Sequence, residues 1–349
     1  MIDKSCIIVI VITIIVLVVF VTLAVYYWPS DNTENLINEN GELEEGFQFP
    51  GISDDNNIRA MMKLKGCPTE YEDDIFDMSK LIYSQKVILD DAESRDKLKT
   101  LSKLPVENEN ILMLALSTGD RPFAKKTLAT LESYADKHGY DFEVQRDPVE
   151  IPNASTHKNV KNANFGKLFM LNNRLNNPDY DKYSVIAYLD DDILFCNNPE
   201  GGINDIRLEN ILELAGTDKS LVIGRDKHVD TFIFPYKPYF NSGFFMIRNN
   251  EIGKHIIQQT VDNYYNYDAY SWSSYNDQSA LEHEYLMSVI LETDTHRHWG
   301  ILNHSVIQSL YNADIPNRGG HTFACHMAGS SAKKRLKIIK DFEKKGYIN

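Results

Sequence analysis

Residues 185–195 read VIAYLDDDILF. Five mostly apolar residues run straight into Asp190, Asp191 and Asp192, and the apolar run resumes at once with Ile193. A short unbroken apolar run of this kind is the signature of a strand buried on both faces. Three adjacent carboxylates repel one another, and burying any of them unpaired is costly. Extended backbone sends alternate side chains the same way, so Asp190 and Asp192 share a face while Asp191 points elsewhere. A hard divalent cation, Mg²⁺, Ca²⁺ or Mn²⁺, held between Asp190 and Asp192 removes the repulsion. A solvated acidic turn is the simpler alternative, and the apolar residues on both sides weigh against it.

The surrounding chain supplies the rest of the sheet. ILMLAL (Ile111–Leu116) is a second buried strand, followed by the turn STGDRPF. Residues 123–138 are amphipathic and helical, with Gly139 in the position of a helix C-cap. DFEVQ is a further strand, Phe165–Leu175 a helix, and Ser184–Leu189 the strand that delivers the aspartates. Strand and helix in alternation predict an α/β fold with a mostly parallel sheet flanked by helices. Ligands of such sheets bind beyond the carboxyl ends of the strands, which is where the aspartates fall.

The 349 residues carry a formal charge of −14, which argues against nucleic acid as a partner. Four cysteines form no CxxC pair and no zinc spacing. One of them, Cys6, borders residues 7–27, an apolar run of the length that spans roughly 30 Å of hydrocarbon. Lys4 precedes that run, and no Lys or Arg follows before Arg59. The expected layout is a cytoplasmic tail (1–6), a transmembrane signal anchor (7–27), an acidic stem with a helical neck (28–105) and a catalytic domain (106–349) facing the lumen of the Golgi or the endoplasmic reticulum. Ile75, Met78, Leu81, Ile82, Leu89, Leu98 and Leu101 recur at near-helical spacing, which fits either a helix packed on the main domain or a self-associating neck that makes a homo-oligomer. Asn153-Ala-Ser and Asn303-His-Ser are glycosylation acceptor patterns.

Five motifs, YADKHGYDF (Tyr134–Phe142), YLDDDILF (Tyr188–Phe195), FNSGFFMIRNN (Phe240–Asn250), NDQSAL (Asn276–Leu281) and HMAG (His326–Gly329), follow one another in an order that resembles the retaining Golgi glycosyltransferases of GT-A fold. That branch contains fungal α-1,2-galactosyl- and mannosyltransferase subunits and plant xyloglucan xylosyltransferases. The resemblance spans about residues 111–329. It implies a nucleotide-diphosphate sugar as donor, a glycan or glycoprotein as acceptor, and transfer with retention. It assigns His326 as the third protein ligand beside Asp190 and Asp192, with His321 a weaker rival; imidazole in the set favours Mn²⁺. Asp191, Ser117 and Thr118 fall on the donor side of the strand ends, and Lys167 is a candidate for donor recognition. The resemblance brings the Asn241-Ser242-Gly243 loop, ahead of the strand FFMI, to the donor or acceptor sugar. It places Asp277 beside the anomeric carbon as an electrostatic stabiliser and Gln278 on a sugar hydroxyl. A plain helix cap is the competing reading of Asp277.

The chain departs from that family in three places. Asn276 stands where an acid is usual, and the cysteine-rich end of the last motif is absent. Ser331 stands five residues after His326 where a basic residue is usual, so Lys333 or Lys334 is left to meet the diphosphate. Two other classes stay open: a silent, membrane-anchored sugar-binding subunit, and a phosphatase of haloacid-dehalogenase type, against which Ile193 and Leu194 after the second aspartate weigh.

Overall fold

The computed structural model describes residues 91–151, 163–197, 204–226, 239–266, 276–310 and 323–348. All of these fall in one of the chain's two units, Ile58–Asn349. The anchor, the acidic stem, most of the neck, Asn153 and His321 lie outside the described residues. Among the described residues no helix is long and apolar enough to cross a membrane.

The strand expected to carry the aspartates is β3 (Val185–Asp190), at the centre of a six-stranded sheet. The other strands are β1 (Ile111–Leu116), β2 (Asp141–Gln145), β5 (Leu221–Arg225), β6 (Phe240–Arg248) and β7 (Trp299–Leu302), in the order β2-β1-β3-β6-β5-β7. β6 alone runs antiparallel to its neighbours β3 and β5, so the sheet is mostly parallel. The pleat sends alternate residues to opposite faces. Met113, Ala115, Val185, Ala187, Leu189, Phe244 and Met246 join the core that also holds Leu98, Leu131, Ile211 and Ile339. These come from the helices α1 (Asp91–Leu101), α2 (Ala124–His138), α4 (Leu208–Ala215) and α8 (Ala332–Lys344). On the opposite face α3 (Ala163–Leu175), α5 (Glu251–Asn266) and α6 (Asn276–Ile290) pack together. Both faces are therefore covered, which is why the strands read as unbroken apolar runs.

The expected elements are present with small shifts. Gly139 closes α2 in the left-handed conformation (φ 74°). Leu98 and Leu101 are buried in the core of the main body, so of the two alternatives for this segment α1 is the helix packed on the main domain, and packed structure begins before residue 106. One expectation is corrected. Asn241, Ser242 and Gly243 belong to β6 itself, not to a loop ahead of it. Their polarity marks a place where the β5–β6 register shifts, between Ile223 and Gly224. Asn303 is buried, which takes the second acceptor pattern off the folded surface.

The apolar residues after the aspartates leave the main sheet. β4 (Ile193–Phe195) pairs antiparallel with β9 (Ala324–His326), which also pairs with β8 (Ser309–Leu310) in a second, three-stranded sheet. The three aspartates thus sit at the corner where one strand ends and another starts in a different sheet.

Candidate active site

Register brings the first residues together. Leu116 at the end of β1 lies opposite Asp190, and Ile193 lies opposite His326. His326 is thereby carried to the aspartates although it stands far from them in the chain. Its Nε2 lies 3.2 Å from Asp192 Oδ1 and 3.9 Å from Asp190 Oδ2. Ligand atoms of Asp190, Asp192 and His326 all fall within 4.8 Å of one another. His326 Nδ1 is buried without a hydrogen-bond partner. The ring can approach so closely because position 243 has no side chain: a Cβ there would lie 2.2 Å from His326 Cε1.

Each of the three carboxylates has its own cationic partner. Asp191 accepts from Ser117 Oγ at 2.8 Å and pairs with Arg121 Nη1 at 3.0 Å. Asp192 pairs through Oδ2 with Arg335 Nη2 at 2.5 Å. Asp190 pairs with Lys167 Nζ at 3.1 Å and accepts from the Tyr188 hydroxyl at 2.8 Å. Lys167 is itself buried, and it reaches Asp277 Oδ2 at 2.9 Å and the Ser242 carbonyl at 3.3 Å. This pairing resolves the repulsion that the sequence raises.

The titrations follow from the pairs. Burial pushes Asp190 above the ordinary carboxylate range, and Asp192 and Asp277 add to it against Lys167 and His326. Burial acts the same way on Asp192, yet the charge and hydrogen bond of His326, with Arg335, hold that group at about 2. Burial opposes charge on His326, but Asp192 and Asp190 favour its cationic form and raise it. Burial would lower Lys167, and Asp190 with Asp277 overcomes it, so the amine is held charged.

The other predicted residues divide. Thr118, Lys167 and Asp190–Asp192 line one open cleft together with Leu116, Arg121, Asn164, Tyr188 and Arg335. Asp277 is only 2% exposed and lies behind Lys167. Its Oδ2 accepts from Ser242 Oγ at 2.6 Å, so the carboxylate is turned to β6 and not spent as a cap. Gln278 Oε1 accepts from the Ser242 N–H at 3.1 Å. Asn241 is occupied internally: Nδ2 donates to Asp226, and Oδ1 accepts from Gly243 N and Gln308 Nε2. Lys333 is exposed at the start of α8 and is absent from the cleft wall, as is Lys334. Arg121 and Arg335 are the charged cleft residues that sequence reasoning passed over. Arg335 was detectable, since it is in phase with Ile338, Ile339 and Phe342 on the buried side of α8, where a charge needs a partner.

A carboxylate pair with an imidazole thus stands at the carboxyl edge of a mostly parallel sheet, walled by basic residues. Residues 107–337 match the galactosyl transferase GMA12/MNN10 family, and the chain belongs to that family. No curated protein matches the sequence. Among solved structures, a glycosyltransferase involved in the glycosylation of the major capsid of PBCV-1 is similar over 66% of this chain and 99% of that chain, at 15% identity and a TM-score of 0.47. That likeness is too loose to bear on the site.

Proposed function

We propose that the protein is a metal-dependent retaining glycosyltransferase that moves a sugar from a nucleotide-diphosphate sugar to a glycan or glycoprotein acceptor. The observation that carries this reading is the convergence of Asp190, Asp192 and His326 at the mouth of a basic-walled cleft. Two carboxylate oxygens and one imidazole nitrogen suit Mn²⁺ or Mg²⁺, with Mn²⁺ the better match to imidazole. When bound, such a cation supplies Lewis-acid stabilisation of the charge that gathers on the departing diphosphate.

The chain's own residues do the remainder. Ser117 and Arg121 fix Asp191, which leaves Thr118 and Asp191 at the donor side of the strand ends. Lys167 holds Asp190 and Asp277 in one geometry, so a stabilising negative charge is kept close to the cleft without being displayed to solvent. Gln278 is oriented by the Ser242 N–H, which leaves its amide N–H groups for a sugar hydroxyl. In same-face transfer the anomeric C–O bond breaks with its electron pair going to the diphosphate. The acceptor oxygen then bonds that carbon, and its proton passes to the phosphate oxygen. Asp277 is assigned electrostatic stabilisation in this scheme, because Lys167 and Ser242 occupy one of its oxygens. Residues 7–27 anchor the protein as a type II membrane protein with this domain in the lumen.

A second reading has one observation in its favour. Each aspartate already has a protein cation, as a silent sugar-binding subunit would need. Release of nucleoside diphosphate from a panel of nucleotide sugars, with Mn²⁺, with EDTA and with Mn²⁺ restored, separates the two. Metal-restored turnover that Asp192→Ala abolishes is expected; no turnover with any donor, in a protein that still binds one, establishes the silent subunit.

A further inference from the structure

The cleft carries two guanidinium groups, those of Arg121 and Arg335. Arg335 stands in α8, in phase with Ile338, Ile339 and Phe342 at helical spacing, and those three are almost fully buried. The phase turns Arg335 to the domain while Lys333 and Lys334, two and one positions earlier, face solvent. Its guanidinium lies over the Phe123 ring at 4.7 Å, Nε donates to the Met327 carbonyl at 3.4 Å, and Nη2 meets Asp192 Oδ2. These contacts use two of its three nitrogens, so a residue that lines the cleft has the two N–H groups of its other terminal nitrogen outside them.

The charge balance says what belongs there. Asp190, Asp191, Asp192 and Asp277 stand against the permanent cations Arg121, Lys167 and Arg335. A divalent cation on Asp190, Asp192 and His326 turns that deficit into an excess of positive charge, which a diphosphate neutralises. Arg335 grips Asp192 by Oδ2, the oxygen turned away from His326, so it stays in place when Oδ1 takes a cation. A planar fork suits phosphate oxygens better than a flexible ammonium does.

Resting on the nucleotide-sugar reading above, we infer that Arg335 is the residue that binds the second phosphate of the nucleoside diphosphate, the task for which the sequence leaves only Lys333 or Lys334. The N-cap role of Ser331, whose Oγ accepts from Lys334 N at 3.3 Å, starts the helix so that the fourth residue after it reaches the cleft.

The test is calorimetric binding of UDP against UMP, and GDP against GMP, to the full-length protein in detergent with saturating Mn²⁺. Arg335→Ala weakens the diphosphate roughly 10- to 100-fold, the range for one charge-assisted hydrogen bond, and leaves the monophosphate nearly unchanged. Arg335→Lys recovers part of the loss. Arg335→Met, which keeps packing over Phe123, takes its place if the alanine variant misfolds. An Arg335 that serves only to hold Asp192 weakens Mn²⁺, diphosphate and monophosphate alike, and an unchanged diphosphate-to-monophosphate ratio overturns the assignment. So does a collapse of that ratio in Lys333→Ala rather than in Arg335→Ala. A wild-type protein that binds none of the four nucleotides refutes the nucleotide-sugar reading itself.

Discussion

Position 243 shows how one missing side chain decides the chemistry available at another residue. His326 leans on the bare backbone of Gly243, and a methyl group there would sit 2.7 Å from Nδ1 and 2.8 Å from Nε2. The ring would have to move, and with it the donor that faces Asp190 and Asp192. Gly243→Ala is expected to weaken Mn²⁺ binding by about 10- to 100-fold, as displaced ligand supports do, with the far-ultraviolet circular dichroism unchanged. Calorimetric titration with Mn²⁺ measures it, and wild-type affinity in the variant would remove His326 from the ligand set. In the sequence, Asn-Ser-Gly is a loop that the resemblance brings to a sugar. That the glycine faces an imidazole is a consequence of β6 and β9 being brought together.

At the scale of elements, the motif YADKHGYDF turns out to be a seam and not a site. Tyr134 stacks on Phe195 with ring centroids 4.0 Å apart, and its hydroxyl donates to the Ile206 carbonyl at 2.7 Å. His138 Nε2 lies 2.8 Å from the Asn204 carbonyl. The Tyr140 hydroxyl donates to Glu209 and accepts from the Leu208 N–H. α2 is thus stitched to β4, which follows the aspartates, and to the segment that opens α4. Tyr140→Phe leaves the Leu208 N–H buried and strips one partner from Glu209, which keeps Arg207. A loss of about 1–3 kcal/mol in urea unfolding is expected, with turnover per folded molecule unchanged. Equal losses in stability and in kcat would move the motif into the active site. The motif was conspicuous in the sequence because several aromatic and polar groups meet there, and structural seams of this kind need that density as much as active sites do.

Over the whole molecule the polar groups of the interior set the pH response. Glu284 on α6 is 8% exposed, and burial lifts its carboxyl to about 7. A carboxyl that is harder to ionise folded than unfolded contributes stability that is fully present below pH 4.5 and is lost as pH rises through about 7. Glu284→Gln should match the wild type near pH 4.5 and exceed it by roughly 3 kcal/mol at pH 8, read from urea unfolding at both values. A constant difference across that range would show that Glu284 ionises as freely folded as unfolded. Strands, helices and the aspartate corner were legible in the sequence because each is written locally, in unbroken apolar runs, helical spacing and charges crowded against a strand. The order of five motifs, itself a property of the linear chain, identified the family and named His326. Pairings between remote segments were not legible. Lys333, Lys334 and Arg335 are neighbours in sequence, and only the phase of α8 on the core selects the one that reaches Asp192. Likewise Asp191 finds Arg121, and Asp277 finds Lys167, through the packing of separate elements on the sheet. Composition says that charges are present; which charge answers which is decided by where the fold lets the side chains point, since a buried ion must find its partner within a few ångströms or not be buried at all.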